Sequence, residues 1–268
     1  MTPRPIALLT DFGHRDPFVG ICHGVIRSED PAIPIIDIVH GIPRHDVRAG
    51  ALALLDAAPF MPEETIFVGV VDPGVGSDRR ALAVECADGS IFIGPDNGLL
   101  VPAIVNRGGA AAAFEISDSP WRRSPVSGTF HARDIFVPVA AKLAAGAALV
   151  EAGVAIEHDK FVELPVPSVE WSGDAVATTV LAVDDFGNVR LAGRFSDLGN
   201  VFRGDRVELI TNDRKLPAVA AAAYSDGTNG GLLLIEDSTG SLTIAVNRGD
   251  AARALSVSTG DRLHIRRS

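Results

Sequence analysis

The sequence predicts an α/β fold in two parts: an N-terminal α/β domain with a mostly parallel sheet (residues 1–165) and a smaller C-terminal antiparallel β-barrel domain (residues 172–268). Three observations predict it. Over about the first 160 residues, short β-branched runs alternate with helical patterns, as parallel strands joined by crossover helices require. Several of those runs are apolar throughout, which suits strands buried on both faces. Beyond Pro165-Val166-Pro167 only strand-like runs remain, separated at close spacing by Gly, Asp and Asn turn signals, the pattern of a small barrel.

The elements follow in order. Residues 6–10, 33–39, 65–71, 81–86 and 90–94 read as strands, the last two joined by a tight turn. Between them, residues 18–27 and 46–57 read as helices. The second puts Val47, Ala51, Leu54 and Leu55 on one face, with Asp46 as its N-cap. A third helix is expected over 134–145. The barrel strands are expected at 175–183, 188–191, 206–210, 216–222, 232–236, 242–246 and 262–265.

Composition narrows the function. The 268 residues are 47% apolar and 22% charged, enough for a real core. Lys and Arg number 24 against 34 Asp and Glu, a balance of −10, and basic residues cluster only in pairs such as Arg79-Arg80. Nucleic acid and anionic membrane are poor partners for such a surface. The two cysteines, Cys22 and Cys86, are too few for a disulfide framework. The first apolar run is too short for a secretion signal, and Lys142 and Glu151 interrupt the apolar stretch 137–156. A soluble, cytoplasmic protein is expected.

In α/β sheets ligands gather at the carboxyl ends of strands, and here those ends are acidic. Thr10-Asp11-Phe12-Gly13, Asp72-Pro73-Gly74-Val75-Gly76 and Pro95-Asp96-Asn97-Gly98 each follow a strand, and His131 and Asp134 open a helix. Taken singly, Asp11 and Asp72 also suit turn capping, Arg79 suits a surface charge and His131 suits a helix cap. Together they suit a site, and a cation held by Asp11, Asp72, Asp96 and His131 is one chemical reading of it. Two familiar motifs fail. Asp11-Phe12-Gly13 and His14-Arg15-Asp16 spell kinase motifs in the wrong order, and Gly74-Val75-Gly76 carries Arg79 where a dinucleotide loop has its third glycine.

The segments LLTDFGHRDPFVGICHGVI, VDPGVGSDRRALAVE, IGPDNGLL, TFHARDIFVPVAA, VDDFGNVRL and STGSLTIAVNRG, in that order across both domains, resemble the adenosine-forming S-adenosyl-L-methionine hydrolases, or SAM hydroxide adenosyltransferases. This family is related to fluorinating and chlorinating enzymes, whose extra loop is replaced here by the tight turn within 84–94. The resemblance implies hydrolysis of S-adenosyl-L-methionine to adenosine and L-methionine by water attacking the ribose C5′. No cofactor and no metal are implied. The implied assembly is a homotrimer, with each site between the N-terminal domain of one subunit and the barrel of the next. Asp72, Arg79 and His131 are the implied water-handling trio, and Asp11 the implied ribose-holding group. Asp184 and Asn188 are implied partners of the methionine amino group and the adenine, Phe186 lines the adenine pocket, and Ser238 meets the methionine carboxylate. A metal-dependent hydrolase using the acidic cluster, and a non-catalytic protein binding S-adenosyl-L-methionine or adenosine, are the competing readings.

Overall fold

The computed structural model describes residues 2–158, 160–165, 167–172, 175–199, 201, 203–212 and 214–268, so Val166 of the expected linker lies outside them. The chain divides into two compact units, Met1–Leu164 and Pro165–Ser268.

The first unit runs β1 (Ile6–Thr10), α1 (Phe18–Glu29), β2 (Ile35–Val39), α2 (Val47–Ala57), β3 (Ile66–Val70), β4 (Ala81–Cys86), β5 (Ile91–Pro95), α3 (Val101–Asn106), β6 (Ala110–Glu115), α4 (Val137–Ala144) and β7 (Val154–Ala155). Its sheet has the order β2-β1-β3-β5-β4-β6-β7. β2, β1, β3 and β5 are parallel neighbours, and β4, β6 and β7 extend the sheet by antiparallel pairing.

Every residue of β1, β3 and β5 is buried, because alternate side chains enter two separate cores. Ile6, Leu8, Val68 and Ile93 pack with Ile26, Phe136 and Val139 on the α1 and α4 side. Ala7, Leu9, Phe67 and Phe92 pack with Ala51, Leu54 and Ile104 on the α2 and α3 side. Asp46 caps α2 as expected, its side chain accepting from the Ala49 amide. Cys22 and Cys86 are free, and burial pushes both thiols up to about 12. The helix expected over 134–145 begins earlier and differently, as a π-helical turn over Ala132–Phe136 that runs on into α4.

The second unit runs β8 (Glu170–Ser172), β9 (Ala175–Val183), β10 (Val189–Leu191), β11 (Arg206–Thr211), β12 (Arg214–Ala220), β13 (Leu232–Glu236), β14 (Leu242–Val246), α5 (Ala251–Leu255) and β15 (Arg262–Arg267). β9 pairs with both β15 and β10, which closes seven strands into a barrel with β8 outside the ring. Its pairings are antiparallel except β12 with β13. Val176, Leu209, Leu234, Ile244 and Ile265 fill its interior. Among the described residues no helix is long and apolar enough to cross a membrane.

Candidate active site

The carboxyl ends of β1, β3 and β5 deliver Asp11, Asp72 and Asp96, the positions at which parallel sheets offer groups to a ligand. Asp72 and Arg79 form a forked ion pair. Nε of Arg79 donates to Oδ1 and Oδ2 of Asp72 at 2.9 and 3.0 Å, and Nη2 donates to Oδ2 at 2.5 Å. The same Nη2 donates to Nδ1 of His131 at 2.8 Å. The guanidinium lies over the Phe136 ring, 5.3 Å from its centre. Only 5% of the Asp72 side chain and 10% of the Arg79 side chain are exposed, so the pair works in a medium where charge-assisted bonds are strong.

Two loops make this contact. Residues 71–80 carry Arg79 and residues 126–131 carry His131. They touch at Gly76, whose φ is +80° and at which any Cβ would collide with the Gly128 carbonyl oxygen. The second loop is fixed from below by buried Asp134, which accepts from the Ser127 amide at 2.9 Å and from Nε and Nη2 of Arg133 at 2.7 Å each. Burial alone raises the Asp134 carboxyl, but these donors outweigh it and hold the group below its ordinary value. His131 occupies the capping position of the π turn yet makes no side-chain cap bond; its ring turns to Arg79 instead.

That contact sets the histidine's state. Arginine only donates, so Nδ1 of His131 must accept, and the neutral ring carries its proton on Nε2. Burial and then the Arg79 cation lower the His131 pKa, outweighing Asp72 and Asp134, which raise it. The ring is thus a neutral donor toward the cavity, and Asp72 keeps the oxygen lone pairs that can take a proton.

Asp72 and His131 border a cavity of about 360 Å³, within the range of small-molecule sites, and Arg79 holds them together through its bonds to both. Asp11, Asp72 and His131 line it together. Asp11 is steadied by the His45 amide, which donates to Oδ2 at 3.0 Å from a residue with φ of +66°. Phe12, Phe18 and Phe130 form an aromatic wall, with ring centres 5.2–5.8 Å apart. This wall is absent from the residue-by-residue sequence reading, although Phe12 and Phe130 sit inside the DFG and TFHARD segments.

Asp96 does not join the cavity. It is paired with Arg80 at 2.5 Å and accepts from the Val162 amide at 2.9 Å. The four-residue cation site read from the sequence is therefore not assembled, because each strand-end carboxylate is met by its own donor.

In the barrel, Asp184 organises the turn between β9 and β10. Oδ1 accepts from the Phe186 and Asn188 amides at 2.9 and 2.8 Å, and Oδ2 from Nδ2 of Asn188 at 2.7 Å. The turn holds Phe186 with 81% of its surface exposed. Gly187, at φ of +80°, lies so close to Asp250 that no Cβ fits. Ser238 is not brought beside them. The pairing Val189↔Ile244 and Arg190↔Thr243 puts the Asp184–Asn188 turn at one end of the β10–β14 pair and the exposed Ser238 turn at the other.

Residues 6–153 match the family model of the SAM hydroxide adenosyltransferase N-terminal domain, and residues 178–264 that of the C-terminal domain. A Salinispora tropica protein named (R)-S-adenosyl-L-methionine hydrolase is 46% identical over 99% of both chains. One of the same name from Salinispora arenicola is 44% identical over 97% of both. Among solved structures, an uncharacterized conserved protein from Thermotoga maritima superposes with a TM-score of 0.91 at 35% identity, covering 98% of this chain and 100% of that one. With both domain models matched in order and the relatives aligned end to end, the chain belongs to the SAM hydroxide adenosyltransferase family.

Proposed function

We infer that the chain hydrolyses S-adenosyl-L-methionine to adenosine and L-methionine. The observation that carries this reading is the Arg79 guanidinium joining Asp72 and His131 where those two line a nucleoside-sized cavity, in a chain whose relatives bear the hydrolase name. The sulfonium makes a neutral thioether the leaving group, so no acid is needed at sulfur. Water is the weak reactant. Its oxygen attacks C5′, the C5′–S bond breaks with its electron pair going to sulfur, and the proton passes to Asp72 and then to solvent. Nε2–H of His131 donates to the water and orients it, while Arg79 fixes both partners. Asp11 accepts from the ribose hydroxyls, and the phenylalanine wall gives the nucleoside an apolar face.

Incubation with S-adenosyl-L-methionine is expected to yield adenosine and methionine in equal amounts, measured by chromatography, at a rate unchanged by chelator. Restoration of a chelator-abolished rate by a divalent ion favours the metal-dependent reading, and binding without product favours the non-catalytic one.

The direction of the His131 shift gives a pH profile. Protonated His131 loses its bond from Arg79, so turnover falls as the ring titrates. The ring titrates below its ordinary 6.5. The acid limb of the kcat/KM profile, which reports the free enzyme, is therefore expected to be centred below 6.5. An acid limb centred at or above 6.5 contradicts the assignment.

We place the enzyme in the cytoplasm, where free buried thiols stay reduced, and we read it as a homotrimer in which Asp184, Phe186 and Asn188 of one subunit complete the site of the next. The exposed Phe186 ring supports that reading. Ser238, at the opposite end of the β10–β14 pair, is too far from Asp184 to meet the carboxylate of a methionine whose amino group Asp184 holds, so within one barrel the expected Ser238 contact is not met together with that of Asp184. Co-expressed Asp72→Ala and Asn188→Ala chains, each inactive alone, are expected to regain part of the activity in mixed oligomers. Tagged mixed oligomers that stay inactive refute shared sites and leave the chemistry untouched.

A further inference from the structure

Three side chains that take no part in the proposed reaction converge on one point between α1 and β2. Nε2 of His23, on α1, lies 2.9 Å from Oδ1 of Asp37, on β2. Nε2 of His40, just past β2, lies 2.9 Å from the same oxygen. All three ligand atoms fall within 4.8 Å of one another. The cluster has a closed floor and an open top: the His40 side chain is 2% exposed, those of His23 and Asp37 32% and 44%. The far nitrogen of His40, Nδ1, lies 2.9 Å from Oγ1 of Thr10, and the His14 ring packs edge-on against His40 with centres 5.7 Å apart.

We propose that His23, Asp37 and His40 form a binding site for a divalent transition metal of the zinc class, outside the reaction centre, with a further position open to water. Two imidazoles and a carboxylate are the donor set of open zinc sites, and mixed nitrogen and oxygen ligands favour zinc, cobalt or nickel over magnesium and calcium, which take oxygen alone. Bonds of about 2.0–2.1 Å at tetrahedral angles separate ligands by about 3.3 Å, so the 2.9 Å contacts need to widen only slightly. The half-exposed His23 on the helix surface supplies that freedom. Thr10 completes the pattern: with Nε2 of His40 on the metal, its Nδ1–H donates to the threonine oxygen, the outer hydrogen bond that orients ligating histidines. Each ligating imidazole must be unprotonated, so affinity falls as the medium turns acid. The ion ties α1, which carries Phe18, to β2 and to His40 just past it, the partner of Thr10.

The test is titration of the chelator-stripped full chain with Co²⁺, followed by its visible d–d absorption, and with Zn²⁺, followed by thermal unfolding. One Co²⁺ per chain is expected to saturate the signal, and Zn²⁺ but not Mg²⁺ to raise the unfolding temperature. His23→Ala and Asp37→Asn are each expected to weaken Co²⁺ binding by about tenfold or more. His158→Ala and His131→Ala are expected to leave it unchanged, and metal-free His23→Ala to retain its hydrolytic rate. Absence of saturable Co²⁺ binding, or binding that survives both His23→Ala and Asp37→Asn, overturns the proposal. An equal thermal shift with Mg²⁺ overturns the metal class.

Discussion

Arg79→Ala is expected to lower kcat by about a thousandfold while changing KM by no more than about threefold, a loss of the size seen when one preorganised transition-state donor is removed. One guanidinium holds Asp72, the proposed base, and His131, the proposed orienting group, at once, so its removal frees both side chains. It also strands Asp72, whose side chain is 5% exposed, and breaking such a buried pair costs about 3 kcal/mol of stability. Arg79→Lys keeps a charge and preserves folding, yet a lysine lacks the planar fork that reaches Asp72 and His131 together, so most of the rate loss is expected to remain. The Asp72→Ala, Arg79→Ala double variant is expected to be no slower than the worse single one, because the residues serve one proton-transfer unit. Steady-state kinetics with calorimetric binding of adenosine separates the effects. Binding lost in step with rate in every variant reassigns the trio to holding substrate.

Gly76→Ala is the second large effect, although the residue touches no substrate. A Cβ there meets the Gly128 carbonyl, and the positive φ adds strain of about 1–2 kcal/mol. The 71–80 loop must withdraw, taking Arg79 from His131, and misplacement of a catalytic group by about 1 Å costs about a hundredfold in rate. Gly74→Ala, where the nearest atom to an added Cβ is Oγ of Ser77 at 3.4 Å, is the control and is expected to stay within about threefold of the parent. Equal rates in Gly76→Ala and the parent exclude the loop contact as the organiser of the trio.

The fold was legible where burial leaves a pattern. β1, β3 and β5 read as apolar runs because both of their faces are covered, and Asp46 announces α2 through its cap. β6 was not legible, since AAAAFE favours helix and becomes a strand only by pairing, Val84 with Ala113 and Ala83 with Phe114. Six-residue α3 and five-residue α5 are too short to show a helical period. Within the site, the strand-end rule and the family resemblance reach Asp11, Asp72, Arg79 and His131. The bond from Arg79 to His131 spans 52 positions, and no local pattern encodes it. The aromatic wall and the convergence of His23, Asp37 and His40 are products of tertiary packing in the same sense.

The pairing of Asp72 with Arg79 beside a neutral His131 has a kinetic side. Their charges cancel, so the reacting end of the cavity is electrically quiet, while Asp11 and Asp16 outnumber Arg44 on its wall and the whole chain carries −10. The sulfonium substrate is a net cation at neutral pH, whereas adenosine is uncharged and methionine a zwitterion. The long-range field therefore speeds arrival and has no grip on departure. Added salt screens the capture of substrate and leaves the release of adenosine alone, so ionic strength tilts the competition between them for the empty cavity toward the nucleoside.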